Sequence, residues 1–481
     1  MNDNFKDVQG GASHSSDFIQ KEKDIQSLLE KHLPAKTAEK EALGEVFSPI
    51  SMIETLLQQF PSSIWKNKNM KWIDPACGIG NFPITIFFHY MKSLTEIIPN
   101  PTTRAKHIIE NMLYMVEINP DNYKVCRSIF RELCPSATPN IFQGDFLQHS
   151  SINGVNIKGF PTYFDCVIGN PPYNIGGTKL EGTKRVHIVF AEHGLMILSK
   201  NGYLGFISPP NYRESGSTMN DLFRHYKGHF IFIRIYGSDE THRLFNIQAR
   251  VDSFIFKKDS IGQTFICDEF GVEHHMNIDL HSHIPNFGNE IFEKLKKQVA
   301  KLGKIDAFRI TEMSTTKANQ FGCGSHKLLH LIVKKGRRIY KTRKKHSLSD
   351  KPKILVNGLG VPYVFYDNKG VYGMSQSPVV ILEPTKNLAN FLQSNLFNCI
   401  ALGLRLTGNN NLPYLFDYVP DVRKTKLNFK DDKDFVSFLG LTQKELKFIN
   451  QHCSVPTYTD KDIVEPCIDK NTRLTRKLHT Q

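Results

Sequence analysis

From residue 71 to about residue 258, short apolar runs alternate with helix-forming stretches, and this alternation constrains the fold more than any other feature of the chain. The strand-like runs are Trp72-Ile73, Leu113-Tyr114-Met115-Val116, Asn140-Ile141-Phe142, Cys166-Val167-Ile168, and residues 203–207, 230–235 and 251–256. Helical stretches, notably 186–198, separate most of them. Strand–helix alternation builds βαβ units, and those make a parallel sheet covered on both faces. The last two strands are joined by a stretch without helical periodicity, which predicts an antiparallel strand at the sheet edge. The expected class is α/β, with a mostly parallel, doubly wound sheet.

The flanks differ in character. Residues 1–20 are rich in Asn, Asp, Ser and Gly and read as a flexible tail. Residues 21–43 carry helix formers with apolar positions at Ile25, Leu28, Leu29 and Leu33, interrupted by Pro34. Gly44-Glu45-Val46-Phe47-Ser48-Pro49 then precedes a helical pattern through Met52, Ile53, Leu56 and Leu57, with Ser48 as the expected N-cap and Pro49 at the first helical position. Residues 263–300 read as a linker of mixed structure. Residues 301–425 show short strands and turns such as Asp367-Asn368-Lys369-Gly370 and Gly408-Asn409-Asn410-Asn411, and a helical pattern at 442–449 leads into a basic tail. The division expected is a tail and helix at 1–40, an α/β domain at 41–262, a linker at 263–300 and a mixed α+β domain at 301–481.

Composition excludes several classes. No apolar run approaches the roughly 18 residues of a membrane span, and the first 24 residues lack a signal-peptide core. The nine cysteines are scattered, with no CxxC pair and no histidine pair at finger spacing, which argues for reduced thiols in an intracellular compartment and against a metal site. The net charge of +14, with an isoelectric point near 9.2, favours a polyanionic partner, nucleic acid being the usual one.

The chemistry concentrates at strand ends, where open α/β sheets bind ligands. Asp74-Pro75-Ala76-Cys77-Gly78-Ile79-Gly80-Asn81-Phe82 follows the first strand; its small residues let backbone approach a ligand, and Asp74 can accept from an ammonium. A Gly-x-Gly turn without a ligand is the plainer reading. The second strand ends in Glu117-Ile118, where a carboxylate can take both hydroxyls of a ribose or simply sit in solvent near a helix start. It lies further from the glycine loop than the roughly 20 residues of the dinucleotide fingerprint, so a helical insertion at about 88–110 must loop out. The third strand ends in Gly144-Asp145-Phe146, an acceptor for an adenine amino group beside an aromatic ring. The fourth ends in Asn170-Pro171-Pro172-Tyr173. The prolines fix φ and remove two donors while their carbonyls remain acceptors. With the Asn amide and the Tyr ring, this set can grip a planar group bearing an exocyclic nitrogen. A proline-terminated strand followed by a turn would read the same.

Taken in order, these motifs resemble the adenine-N6 DNA methyltransferases of restriction–modification systems, over residues 41 to 260. Gly44 to Pro49 is similar to the segment that touches the methionine end of the cofactor in that family, with Phe47, Ser48 and Pro49 as candidate contacts. Asp74 to Phe82 resembles its cofactor loop, with Asp74, Ala76, Cys77, Gly78, Gly80, Asn81 and Phe82 as candidates. Glu117 and Ile118 match the ribose-binding acid and its neighbour, Asp145 and Phe146 the adenine-binding pair. Asn170, Pro171, Pro172 and Tyr173 match the catalytic tetrapeptide, and Asn201–Pro209 the strand motif that follows it. The resemblance implies a Rossmann-like methyltransferase core, S-adenosylmethionine as cofactor, no metal, and a C-terminal target-recognition domain, in the gamma order of motifs. It implies a flipped-out adenine in double-stranded DNA as substrate, stacked on Tyr173, with Phe245 as a second stacking candidate where core packing is the competing role. A protein glutamine methyltransferase or an RNA base methyltransferase would share the tetrapeptide; the Asp-Pro-Ala-Cys-Gly loop, the segment 46–49 and the basic C-terminal half favour DNA.

The strongest basic run is 334–346, with Lys334, Lys335, Arg337, Arg338, Lys341, Arg343, Lys344 and Lys345 and no acid. A charge run is usually a solvated face; behind a methyltransferase core, phosphate contact is the sharper expectation. Gly336 and Tyr340 suggest a hairpin there, and the loop 174–179 is expected near the DNA backbone. No Asp…Glu-x-Lys cluster precedes the α/β region, which predicts modification without cleavage; a cognate restriction endonuclease encoded separately is compatible with that. The remaining expectations are a monomer in the cytoplasm or nucleoid, or in a host cell if viral.

Overall fold

The computed structural model describes residues 25, 48–173, 185–245, 249–313, 324–358, 360–406, 413–455 and 457–465. The readings of the tail, of the helix before Pro34, of Phe47, of the loop 174–179, of the turn 408–411 and of the basic tail lie outside them. The chain divides into two compact units, Met1–His283 and Ile284–Gln481.

The first unit opens with helix α1 (Ile50–Leu57), which buries Met52, Ile53, Leu56 and Leu57. Pro49, not Ser48, is its N-cap, and no side chain caps it. Strand β1 (Trp72–Asp74) leads through the glycine loop into α2 (Asn81–Ser93). The looped-out insertion is α3 (Pro101–Asn111), capped by Asn100 accepting from the Thr103 N–H. Then follow β2 (Leu113–Glu117), buried throughout, α4 (Pro120–Leu133), started by the Asn119 cap and Pro120, and β3 (Asn140–Gln143). Next come β4 (Phe164–Gly169), α5 (Val186–Ile197), β5 (Leu198–Ser208), α6 (Thr218–His225), β6 (Gly228–Tyr236), α7 (Ser238–Phe245) and β7 (Val251–Lys258). Strands β8 (Thr264–Cys267) and β9 (Glu273–Met276) complete the sheet.

The sheet order is β9-β8-β6-β7-β5-β4-β1-β2-β3. Strands β3, β2, β1, β4 and β5 are mutually parallel. β7 runs antiparallel to both neighbours, β5 and β6. The expected antiparallel strand is therefore present, but it is inserted between β5 and β6 rather than placed at the edge, and its connection from β6 contains helix α7. That helix buries only Thr241 and Phe245, so it carries no run of apolar positions from which a helical period could be read. Residues 263–300 also differ from a linker: β8 pairs parallel with β6, β9 pairs antiparallel with β8, and helix α8 (Asn289–Leu302) belongs to the second unit.

The second unit is mixed α+β. It contains β10 (His326–Val333), β11 (Gly336–Thr342), β12 (Lys353–Val356), β13 (Val364–Asp367), β14 (Tyr372–Met374), β15 (Val379–Leu382) and β16 (Asp462–Val464). They form a four-stranded sheet, β14-β10-β11-β16, and a three-stranded sheet, β13-β12-β15. Helices α9 (Lys386–Leu392), α10 (Asn395–Gly403), α11 (Asp432–Leu439) and α12 (Gln443–His452) pack with α8 around Phe292, Leu295, Phe391, Phe397 and Ile400. Thr442 and Glu445 form a reciprocal capping box at the start of α12. No helix among the described residues is long and apolar enough to cross a membrane.

Candidate active site at the strand ends

The register of the sheet brings the four predicted strand ends into one row. β1 ends at Asp74, β2 at Glu117 and β4 at Gly169, directly before Asn170, while Asp145 follows β3. Their order across the sheet is β4, β1, β2, β3, and parallel strands put all four ends on the same side.

Asp74 is 3% exposed, and its Oδ1 accepts from the Ala76 N–H at 3.0 Å, closing the first turn of the loop. Burial pushes its carboxyl up to about 8, the Ala76 bond opposes this, and the nearby Glu117 carboxylate adds to it. Glu117 is held from two directions: Oε2 accepts from the Gly78 N–H at 2.7 Å and Oε1 from the Asn119 N–H at 2.7 Å. These two backbone bonds orient the Glu117 carboxylate at the end of β2. Ile118 beside it is 55% exposed, an apolar surface at the rim of the loop.

Gly80 is the N-cap of α2 with φ +102, a left-handed conformation that glycine adopts without cost. A Cβ there would come within 2.8 Å of Cys126 Sγ on α4, so the loop packs down on that helix. Asn81 Nδ2 donates to the Ser48 carbonyl at 3.0 Å, tying the segment before α1 to the loop. Asn81 Oδ1 and Ser48 Oγ are buried without hydrogen-bond partners. A buried polar atom is rarely left so, and two beside one glycine loop fit a polar ligand. Ser48 therefore meets the start of α2 through its carbonyl and does not cap α1.

The tetrapeptide stands next to this loop. A Cβ on Gly169 would meet Asp74 Oδ1 at 2.7 Å, so the ends of β4 and β1 are in close contact. The Asn170 and Tyr173 side chains interact, and burial holds the Tyr173 hydroxyl protonated well above the ordinary tyrosine range. Pro171 is buried, and Asn170, Pro172 and Tyr173 are half-buried.

The aromatic candidates fare differently. Phe146 is 1% exposed and stacked on Phe190 at 5.8 Å, so its faces belong to the core rather than to a ligand. Phe82, 3% exposed, is also core, and only its backbone at the first turn of α2 is available to a ligand. Phe245, 5% exposed, packs in the main hydrophobic cluster, as the competing reading had it, and presents no stacking face. Cys77 is buried at 6%, its thiol pushed up by burial and by Cys126, so it contributes shape rather than reactivity. Asp145 Oδ1 caps the short helix Phe146–His149 by accepting from the Leu147 N–H at 3.0 Å.

Residues that the motifs did not flag lie behind the tetrapeptide. His187, at the start of α5, places Nδ1 3.3 Å from the Tyr173 carbonyl and Nε2 3.1 Å from the Asn211 side-chain amide. Arg213 and Asp252 form a bidentate pair at 2.7 and 3.2 Å with both side chains fully buried, and the Tyr212 hydroxyl donates to the same carboxylate at 2.9 Å. The available sequence signals were polar residues inside apolar runs: a histidine opening the helix at 186–197 and an aspartate inside the strand Val251–Lys258.

In the second unit the basic run forms the hairpin β10–β11, with Lys334 and Lys335 in its turn. Lys334, Lys335, Arg338, Lys341, Arg343, Lys344 and Lys345 are exposed. Arg338 pairs with Glu465 at 3.4 Å, and Lys345 pairs with Asp350. Arg337 departs from the sequence reading. It is 8% exposed, bonded to Asp462 at 2.9 Å and to Asp460, and lies over the Phe365 ring at 4.5 Å, so it is an internal tie of the unit and not a phosphate contact. No group of three or more potential ligands that could hold a metal occurs among the described residues.

Comparison with known proteins gives the following similarities. The Eco57I restriction-modification methylase family matches residues 100–245. An uncharacterized adenine-specific methylase of Mycoplasma pneumoniae is 36% identical over 75 residues, which are 15% of this chain and 18% of that protein. Among solved structures, the type I restriction enzyme EcoKI M protein is 18% identical with a TM-score of 0.36, covering 46% of this chain and 48% of the other. The type IIL restriction-modification enzyme MmeI, solved with DNA, is 12% identical with a TM-score of 0.48, covering 82% and 69%. The stretch from the insertion helix α3 to the end of α7, with the tetrapeptide inside it, is thus similar to the restriction-modification methylases of the Eco57I family.

Proposed function

We propose that the chain transfers a methyl group from S-adenosylmethionine to N6 of an adenine in double-stranded DNA at a specific sequence. The observation that carries the reading is the row of strand ends, with Asp74, Glu117 and Asp145 beside an Asn-Pro-Pro-Tyr grip in one plane of the sheet. The residues fit the cofactor: Ser48 and Asn81 offer unpartnered polar atoms, Glu117 is oriented as a diol acceptor, and Ile118 offers an apolar face. Bound there, S-adenosylmethionine would supply an electrophilic methyl group on its sulfonium sulfur. Asp74 would accept from its ammonium, Glu117 from its ribose hydroxyls and Asp145 from its adenine amino group.

The target nitrogen is a weak nucleophile because its lone pair is delocalised into the ring. The Asn170 side-chain oxygen and the Pro171 carbonyl accept its two hydrogens, drawing it toward tetrahedral geometry and aiming the lone pair at the methyl carbon. Positioning of this kind supplies about 7 kcal/mol or more in favourable cases. The base must leave the duplex to reach the grip, and a stack on Tyr173 worth about 1–3 kcal/mol offsets the unstacking. Residues 301–481 act as the target-recognition domain, and the exposed cations of the β10–β11 hairpin contact phosphates. The DNA substrate places the protein in the cytoplasm or nucleoid, where a separately encoded endonuclease would be its partner.

The testing experiment is nucleoside mass spectrometry on DNA and RNA incubated with the purified chain and S-adenosylmethionine, repeated with magnesium to score cleavage. N6-methyladenine in DNA alone, with strands intact, is the expected result. Methyl groups in RNA with none in DNA adenine would replace the reading.

A further inference from the structure

We infer that His187 is a positioning residue for the tetrapeptide: its Nδ1–H clamps the Tyr173 carbonyl, and Asn211 holds it in the tautomer that does so. The kinetic half of the inference rests on the methylation reading above; the structural half does not.

His187 is 2% exposed, and burial, aided by the Arg185 charge, keeps its imidazole neutral. A neutral imidazole has one N–H. The carbonyl of Tyr173, 3.3 Å from Nδ1, can only accept, so the proton belongs on Nδ1. Nε2 is then an acceptor and needs a donor. As placed, Asn211 Oδ1 is the atom 3.1 Å from Nε2, while its Nδ2 is buried without a partner. Turning that amide so that Nδ2 faces Nε2 supplies the missing donor. Side-chain amide orientation is assigned from such networks, and a buried orphan N–H is rarer than a buried orphan carbonyl.

The anchor is rigid. Asn211 sits on the 3-10 turn Pro210–Arg213, where its own carbonyl accepts from the Ser217 hydroxyl at 2.5 Å and the Glu214 N–H at 3.2 Å. The adjacent Arg213 is locked to Asp252 on β7. His187 also meets the Tyr173 ring edge to face at 6.0 Å. The tetrapeptide is therefore fixed at both ends, by Gly169 against Asp74 and by Tyr173 against His187. Loss of the second contact would let the stacking ring and the two acceptors drift, and an offset of about 1 Å can cost 100-fold in rate.

Full-length His187→Asn, His187→Gln and His187→Phe test this. An Asn amide nitrogen takes the place of Nδ1, a Gln one that of Nε2, and Phe keeps the volume. His187→Asn is expected to hold kcat within about threefold, while Gln and Phe lower it about 10–100-fold with KM for cofactor and DNA unchanged. Amide hydrogen exchange over residues 168–173 should rise in the Gln and Phe variants and not in the Asn variant, a readout independent of activity. Wild-type kcat and protection in His187→Phe or His187→Gln would overturn the clamp, as would an Asn variant no better than Phe. A wild-type chain that methylates no adenine would sink the methylation reading, and the exchange measurement would still decide the clamp.

Discussion

At the residue scale the account divides the site into groups that serve the methyl donor and groups that serve the acceptor. Asn170→Ala removes an acceptor for the target nitrogen, so methyl transfer should fall at least 100-fold while cofactor affinity, measured by calorimetry, stays within about threefold. Glu117→Ala should do the reverse, weakening cofactor binding about 10–100-fold, as expected for losing charge-assisted hydrogen bonds. Asp74 adds a pH signature. Its folded-state pKa of about 8 lies above the ordinary carboxylate value, so the folded state prefers the protonated acid and its stabilising contribution is lost as pH rises toward and through 8. Asp74→Asn should therefore melt progressively higher than the wild type between pH 5 and 9. Pairing with an ammonium requires the ionised form, so wild-type cofactor affinity should rise over the same interval and the Asn variant should not show the rise. Asp74, Glu117 and Asn170 were legible in the sequence because each stands at the end of an apolar run. His187 and Asn211 were not, because a single polar residue in an apolar stretch carries no partner information until the fold supplies it. The rings of Phe82 and Phe146 sit beside the right motifs but are buried in the core, and Phe245 is core as its competing reading had it.

At the scale of elements, the hairpin β10–β11 shows how a charge run can hold two populations. Lys334 and Lys335 occupy the exposed turn, whereas Arg337 is bonded to Asp462, which also takes Lys327 at 2.7 Å and the Tyr372 hydroxyl at 3.0 Å. Arg337→Ala should cost about 1–3 kcal/mol in stability and leave the salt slope of DNA binding unchanged. Lys334→Ala and Lys335→Ala should leave the melting temperature unchanged and each reduce the salt slope by about one. The opposite pattern, measured by melting and by binding titrations over salt, would reverse the two assignments. Strand alternation hid the difference, because Arg337 and Arg338 are neighbours that face opposite sides of the strand. β7 is a related case: its composition announced a strand, but its connection from β6 runs through α7, which buries only Thr241 and Phe245 and so shows no apolar period.

At the scale of the whole molecule, strand–helix alternation was enough to anticipate the α/β unit, since right-handed βαβ connections leave few alternatives. The second unit was legible only as mixed α+β, because its four-stranded sheet pairs strands distant in sequence, such as β11 with β16. Net charge of +14 agrees with a polyanionic substrate but does not choose between DNA and RNA. That choice is the central claim, and nucleoside mass spectrometry of both polymers after incubation with the chain and isotopically labelled S-adenosylmethionine tests it most directly. The account requires labelled N6-methyladenine in double-stranded DNA, absent from RNA and lost in Asn170→Ala; label in RNA with none in DNA adenine, or no label in either, would contradict it.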